Sequence, residues 1–190
     1  MKRLLGAVLM GLGLLGGQPL TAKKTAPTPV HSYKVLQTFE HDSDDYIQGL
    51  VYQDGVFFEG TGQQGRSRLQ KYQYLKERKK VLQSVNLPEP YFGEGIALLQ
   101  GKVVQLTWQS QRGFIYQCSD LKKIGEFSYP GEGWGLTSDE RDFYMSDGSA
   151  TLRVVDGDKL LKAQQFVVKR TIAVKDHGVP VPMLNELELI

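Results

Sequence analysis

Short runs of alternating apolar and polar residues, broken by tight turns, make up most of the chain after residue 32. Three segments share one layout of strand-like run, polar turn and second strand-like run: 48–62, 94–108 and 134–148. The turns are Asp54-Gly55, Gln100-Gly101 and the polar stretch 139–142. This spacing predicts three β-hairpins.

Two further strand-like runs follow each hairpin. They are 68–75 and 81–87, then 114–117 and 123–128, then 152–155 and 163–168. Four short strands in a unit that repeats at roughly 40–50 residues are typical of β-propeller blades. A β-sandwich also has many short strands, but the matched hairpin openings favour the propeller. No amphipathic helix is predicted after the N-terminal segment, so we expect an all-β fold.

A fourth unit opens at 185–190, where the sequence stops. The pattern therefore predicts three blades and the first strand of a fourth within an incomplete propeller domain, 33–190. A closed propeller has four or more blades. We accordingly expect a truncated ring with an open sheet edge, which favours aggregation.

The N-terminal segment has the pattern of an export signal. Lys2 and Arg3 precede an apolar run, 4–17, which is shorter than the roughly 20 residues of a membrane span. We predict a signal peptide over 1–22 and a flexible lead-in over 23–32, with an uncleaved anchor as the alternative. The mature protein is then expected in the periplasm or outside the cell, without membrane association.

Composition excludes several classes of protein. The net charge of +2 gives no electrostatic reason to expect a nucleic-acid partner. Cys118 is the only cysteine, so neither an internal disulfide nor a cysteine-based zinc site is possible. A glycine pattern at 60–65 resembles a dinucleotide motif, but the following residues predict a strand where that site needs a helix. The acidic stretch after His41 suggests a polar turn more than a metal site.

Four side chains occupy the same position at the start of successive units, namely Gln48, Glu94, Trp134 and Asn185. The innermost strand of each blade lines the central channel, so we expect these side chains to converge at one end of it. Trp108 joins them, because it lies seven residues after Gly101 and Glu94 lies seven before it. Taken alone, each could instead be a turn, core or strand-end residue.

Several motifs occur here in an order that matches one enzyme family. They are His41–Leu50, Tyr91–Gly95, Gly133–Leu136, Ser146–Gly148 and Leu184–Glu188. In these motifs the chain resembles the glutaminyl-peptide cyclotransferases of plants and bacteria, from about Tyr33 to its last residue. That family converts the N-terminal glutamine of a peptide or protein into pyroglutamate and releases ammonia.

The resemblance implies a five-bladed propeller, monomeric when complete, without cofactor or catalytic metal. It implies that Glu94 is the catalytic acid/base and that the substrate-binding residues are Gln48, Trp108, Trp134 and Asn185. A carboxyl between two indoles should have a raised pKa, which suits proton transfer near neutral pH. The family also uses a tryptophan and a lysine from its last two blades, and these have no counterpart in this chain.

Two other functions compete with this interpretation. One is a catalytically inactive propeller fragment that acts as a binding or interaction module. The other is a metal-dependent propeller hydrolase such as a lactonase, which needs carboxylate and amide ligands for calcium. Only Glu94 and Asn185 could contribute to such a calcium site.

Overall fold

The computed structural model describes residues 30–190, and the predicted signal peptide and most of the lead-in lie outside that range. The described residues form three four-stranded antiparallel sheets and a small two-stranded sheet. Each large sheet keeps the chain order of its strands from one edge to the other. The prediction of an all-β chain built from propeller blades is therefore confirmed.

The strands of the first blade are β1 (Ile47–Gln53), β2 (Val56–Thr61), β3 (Arg68–Leu75) and β4 (Arg78–Asn86). Those of the second are β5 (Gly93–Leu99), β6 (Lys102–Thr107), β7 (Arg112–Gln117) and β8 (Lys123–Ser128). Those of the third are β9 (Leu136–Ser138), β10 (Asp142–Met145), β11 (Thr151–Asp156) and β12 (Val168–Ala173). A hairpin of β13 (Lys175–Asp176) and β14 (Val179–Pro180) follows.

Local turn chemistry explains why the hairpins close where they do. Asp54 and Gly55 both have positive φ, 51° and 81°, and connect β1 to β2 as a two-residue turn. The polar turn before β1 is also present, since the backbone N–H of Asp44 donates to Asp42 Oδ1 at 3.0 Å. These turns agree with the prediction from the sequence.

Side-chain alternation divides the core between two interfaces. In β5 and β6, Ile96 and Val103 pack towards the first blade, whereas Ala97 and Val104 pack towards the third. Successive strand residues point to opposite faces of a sheet, so the middle blade supplies apolar side chains to both neighbours. The middle blade is thereby held on both faces.

The predicted strand at 163–168 is wrong, and so is the expectation that the chain has no helix. A helix, α1 (Gly157–Ala163), lies between β11 and β12, and β12 begins only at Val168. Asp156 caps the helix by accepting a hydrogen bond from the Lys159 backbone N–H at 2.9 Å. Leu160 and Leu161 are buried in the core, which stabilises a helix only seven residues long.

The segment 185–190 is not assigned as a strand, although the sequence predicts the first strand of a fourth blade there. It lies beside β9, at the position of a next inner strand, because a Cβ on Gly135 would come within 2.0 Å of Asn185 O. The described residues provide no partner strand for a ladder.

No helix among residues 30–190 is long and apolar enough to cross a membrane.

Candidate active site

The five predicted site residues line one cavity at the mouth of the inner strands. Its volume is about 470 Å³. The lining residues are Tyr46, Gln48, Gly62, Gln63, Phe92, Glu94, Trp108, Trp134 and Asn185. The structure thus brings together residues from all three blades and from the segment after β14, while their roles stay predictions.

Two strand irregularities turn the polar side chains into the cavity. The pairing of β1 with β2 shifts register between Ile47 and Gly49, around Gln48. The pairing of β5 with β6 shifts between Gly93 and Ile96, around Glu94. A β-bulge redirects a side chain away from the regular alternation, and such bulges are common beside active sites. Gln48 and Glu94 therefore lie at equivalent bulges of neighbouring blades.

Glu94 is the buried carboxyl of the cavity, with 5% of its surface exposed. Burial raises the pKa of Glu94 to about 8, and the nearby charge of Glu132 adds to that effect. Gln48 opposes it, because its Nε2 donates to Glu94 Oε2 at 2.8 Å. A carboxyl with this pKa can both accept and donate a proton near neutral pH, as we expected from the sequence.

Two indoles form walls of the cavity, one from the second blade and one from the third. Trp108 follows β6, and its ring meets that of Phe92 edge to face with centroids 5.7 Å apart. Trp134 precedes β9, and its backbone N–H donates to Ser146 O at 3.1 Å. Gly148 lies against the Trp134 ring, where a Cβ would come within 2.7 Å of Cζ2. The Phe92 ring therefore lies against one indole and the Gly148 backbone against the other.

Asn185 reaches the cavity because Ser146 attaches its segment to the third blade. The Ser146 hydroxyl donates to Asn185 O at 2.7 Å and accepts from the Gly135 backbone N–H at 2.8 Å. The Ser146-Asp147-Gly148 motif thus has a structural role that the sequence alone did not indicate. It supports both Asn185 and Trp134.

Sequence reasoning missed Tyr46, Gln63 and Glu132. Tyr46 lies two residues before Gln48, and its ring contacts that of Phe92 with centroids 6.4 Å apart. Tyr46 lies in the same sequence motif as Gln48, and that proximity could have predicted its place at the cavity. Glu132 lies on the loop before Trp134 and binds both indole N–H groups through one oxygen, Oε2. Nothing in its sequence position marks that contact.

The stretch after His41 contributes to a buried ionic cluster. His41, Asp45 and Glu59 offer ligand atoms within 4.8 Å of one another. Two cations accompany them, since Arg68 binds Asp45 and Lys79 Nζ lies 3.0 Å from Asp45 Oδ2 and 3.8 Å from Glu59 Oε1. The cations offset both carboxylate charges, so this cluster is an ion-pair network within the first blade and the turn before it.

A buried, hydrogen-bonded carboxyl and two indoles thus line one cavity at the inner strand ends of a β-propeller protein. Comparison with known proteins identifies the family. A family model described as glutamine cyclotransferase matches residues 9–190. The chain belongs to the glutamine cyclotransferase family.

Individual relatives agree with this assignment. The chain is 32% identical over 163 residues to the glutaminyl-peptide cyclotransferase of Arabidopsis thaliana, covering 85% of this chain and 48% of that protein. Its fold resembles the crystal structure of Myxococcus xanthus glutaminyl cyclase, with a TM-score of 0.71 and 30% identity over 83% of this chain and 63% of that one. The chain thus spans about half the length of the curated relative.

A more distant likeness concerns the fold alone. The WD40 repeats of RRP9 match with a TM-score of 0.52 and 14% identity, covering 70% of this chain and 40% of that chain. WD40 repeats are propeller blades of four strands, which agrees with the sheets described above.

Proposed function

We propose that this chain carries the acid/base half of a glutaminyl-peptide cyclotransferase site, which converts N-terminal glutamine into pyroglutamate and releases ammonia. The observation that carries the proposal is the buried Glu94, with a pKa of about 8, facing a cavity walled by two indoles. The names of the relatives in Arabidopsis and Myxococcus support the same reaction.

The reaction needs one proton removed and one proton supplied. The α-amine nitrogen attacks the side-chain amide carbon, a C–N bond closes the five-membered ring, and the amide nitrogen leaves as ammonia. Glu94 in its ionised form accepts the proton from the attacking amine and then donates it to the departing nitrogen. Bonds and charges balance without a redox partner or added water.

The neighbouring side chains have roles that follow from their chemistry. The amides of Gln48 and Asn185 each offer donors and an acceptor for the substrate amide or backbone. Trp108 and Trp134 exclude water and keep the glutamine side chain folded close to its own amine. An apolar wall also favours the uncharged form of the amine, which is the nucleophile.

The proposal is tested by ammonia release from a peptide that begins with glutamine. The described residues supply three blades and a closed ring needs at least four, so the assay uses the 190-residue chain and a form continued by further blades of a relative. We expect cyclisation by the continued form, unaffected by EDTA and lost in Glu94→Gln. The matched control is Glu140→Gln, an exposed residue in the turn between β9 and β10.

Three results contradict the proposal in different ways. Activity that survives in Glu94→Gln removes Glu94 from the acid/base role. A folded protein that releases no ammonia in either form overturns the proposed function and favours the interaction module as the alternative. Activity that disappears with EDTA favours the metal-dependent alternative.

We also propose export of this activity, because residues 1–22 have the pattern of a cleaved signal peptide. The substrates would then be peptides and proteins outside the cytoplasm that begin with glutamine. N-terminal sequencing of the protein recovered from cell fractions tests this placement, and an intact Met1 in the cytoplasmic fraction contradicts it.

A further inference from the structure

One carboxylate oxygen joins the two indole walls of the cavity. Glu132 Oε2 accepts hydrogen bonds from Trp108 Nε1 at 2.7 Å and from Trp134 Nε1 at 2.9 Å. The other oxygen, Oε1, accepts from Gln109 Nε2 at 3.1 Å. Trp108 belongs to the second blade and Trp134 to the third, so Glu132 connects two blades at the rim of the cavity.

The loop that carries Glu132 is itself held in place. The Gly133 backbone N–H donates to Trp108 O at 2.9 Å. A Cβ on Gly133 would lie 2.5 Å from the Tyr129 hydroxyl and 3.0 Å from Thr107 O, so only glycine fits this close passage. The carboxylate is therefore positioned by backbone contacts before any substrate arrives.

Trp108 needs such a partner more than a core residue does. Its side chain is on the rim, and 38% of its surface is exposed. An exposed indole can turn about its side-chain torsions, and a wall that turns cannot hold a substrate folded. Hydrogen bonds to an ionised carboxylate are stronger than bonds between neutral groups, which suits Glu132 to fix the ring.

We propose that Glu132 is a positioning residue of the glutamine pocket, which orients both indole walls and adds a negative charge beside the catalytic carboxyl. The proposal rests on the function proposed above. Glu132 acts through Trp108 and Trp134 and through its field at Glu94, and has no assigned contact with substrate.

The charge of Glu132 is present at neutral pH. Hydrogen bonds from Trp134, Gln109 and Trp108 hold its pKa below the usual range, while the charge of Asp147, which is paired with Arg153, opposes them. Around Glu94 the facing groups are Gln48, Tyr129, Glu186 and Glu132. Removing the Glu132 charge should lower the pKa of Glu94, because one negative neighbour is lost.

The first experiment requires no catalysis. The chain has two tryptophans, and both donate to Glu132, so tryptophan fluorescence excited at wavelengths that the nine tyrosines do not absorb reports these indoles alone. We expect the emission of the 190-residue chain to change as acid protonates Glu132, with far-UV circular dichroism showing that the fold persists. Glu132→Gln should shift the emission at pH 7 and abolish that acid step, whereas Glu140→Gln should keep both. Identical emission and acid titration in Glu132→Gln and the parent would overturn the proposal.

The second experiment separates the effect of the negative charge at position 132 from the effect of side-chain length. It uses the form of the chain that is continued by further blades of a relative. Glu132→Gln removes the charge, and we expect roughly a tenfold lower kcat/KM. The acid limb of the pH–rate profile, where activity rises as Glu94 ionises, should move to lower pH. Glu132→Asp keeps the charge on a shorter side chain, so KM should rise while the acid limb stays in place. An unmoved limb in Glu132→Gln, or unchanged KM in both variants, contradicts the proposal. Absence of ammonia release from the parent as well would overturn the proposed function and leave the fluorescence result standing.

Discussion

Replacing Glu94 by glutamine should make the folded chain more stable at alkaline pH, although it removes the acid/base group. The native carboxyl is buried and its pKa is raised from 4.5 to about 8. The folded state therefore holds a proton that the unfolded state has already released between these two values. The stabilisation is complete below pH 4.5 and is lost as the pH rises through about 8.

The magnitude follows from the two pKa values. Since one pKa unit corresponds to about 1.4 kcal/mol, ionising Glu94 in its folded environment costs up to about 5 kcal/mol of unfolding free energy. Glutamine has nearly the same shape, carries no charge at any pH, and keeps an oxygen that can accept the hydrogen bond from Gln48. The variant therefore does not lose unfolding free energy at alkaline pH through ionisation at position 94, and its packing is unchanged.

Urea denaturation of the parent and of Glu94→Gln at pH 5, 7 and 9 measures the effect. The difference in unfolding free energy should grow in favour of the variant with each step, and most of it should appear by pH 9. Titrating groups that do not interact with Glu94 are common to both proteins and cancel in the difference. Glu140→Gln should show a difference that does not vary with pH. A flat difference for Glu94→Gln as well would refute a strongly raised pKa.

Further predictions concern the partners of the buried carboxyl groups of Glu94, Asp45 and Glu59. In a pH–rate profile, activity should rise with pH near the pKa of Glu94, about 8, because the ionised carboxyl is the base. Gln48→Leu should move this rise to higher pH, because it removes a hydrogen bond that lowers the pKa of Glu94. Lys79→Met should destabilise the fold by about 3–5 kcal/mol in urea denaturation, because Asp45 and Glu59 lose a buried counter-charge. If its stability equals that of the parent, Arg68 and other neighbours suffice for charge balance.

What the sequence could predict depended on how local the cause was. The turns at Asp54-Gly55 and Gln100-Gly101 were predictable because two residues with positive φ define a short hairpin by themselves. The cavity residues at the start of each blade were predictable because a repeat transfers one position to every blade. Because the inner strands of all blades start around one cavity, these equivalent residues lie close together.

The missed features depend on contacts between distant segments. Helix α1 follows a capping residue, Asp156, but its stability comes from burying Leu160 and Leu161 against other elements. Glu132 becomes significant only when the hairpin that ends at Trp108 meets the loop before Trp134. Neither meeting can be read from spacing within one unit.

A glycine directly follows Gln48 and another directly follows Glu94, and both allow close packing between blades beside the cavity. A Cβ on Gly49 would lie 2.6 Å from Ile96 N, and a Cβ on Gly95 would lie 2.6 Å from both Leu136 N and Trp134 O. Each glycine therefore lets the backbone of the next inner strand approach, and in the second case the Gly95 N–H donates to Trp134 O at 2.8 Å. Because that contact places the preceding side chain at the channel mouth, the close packing of successive blades also sets the spacing between the carboxyl and its walls.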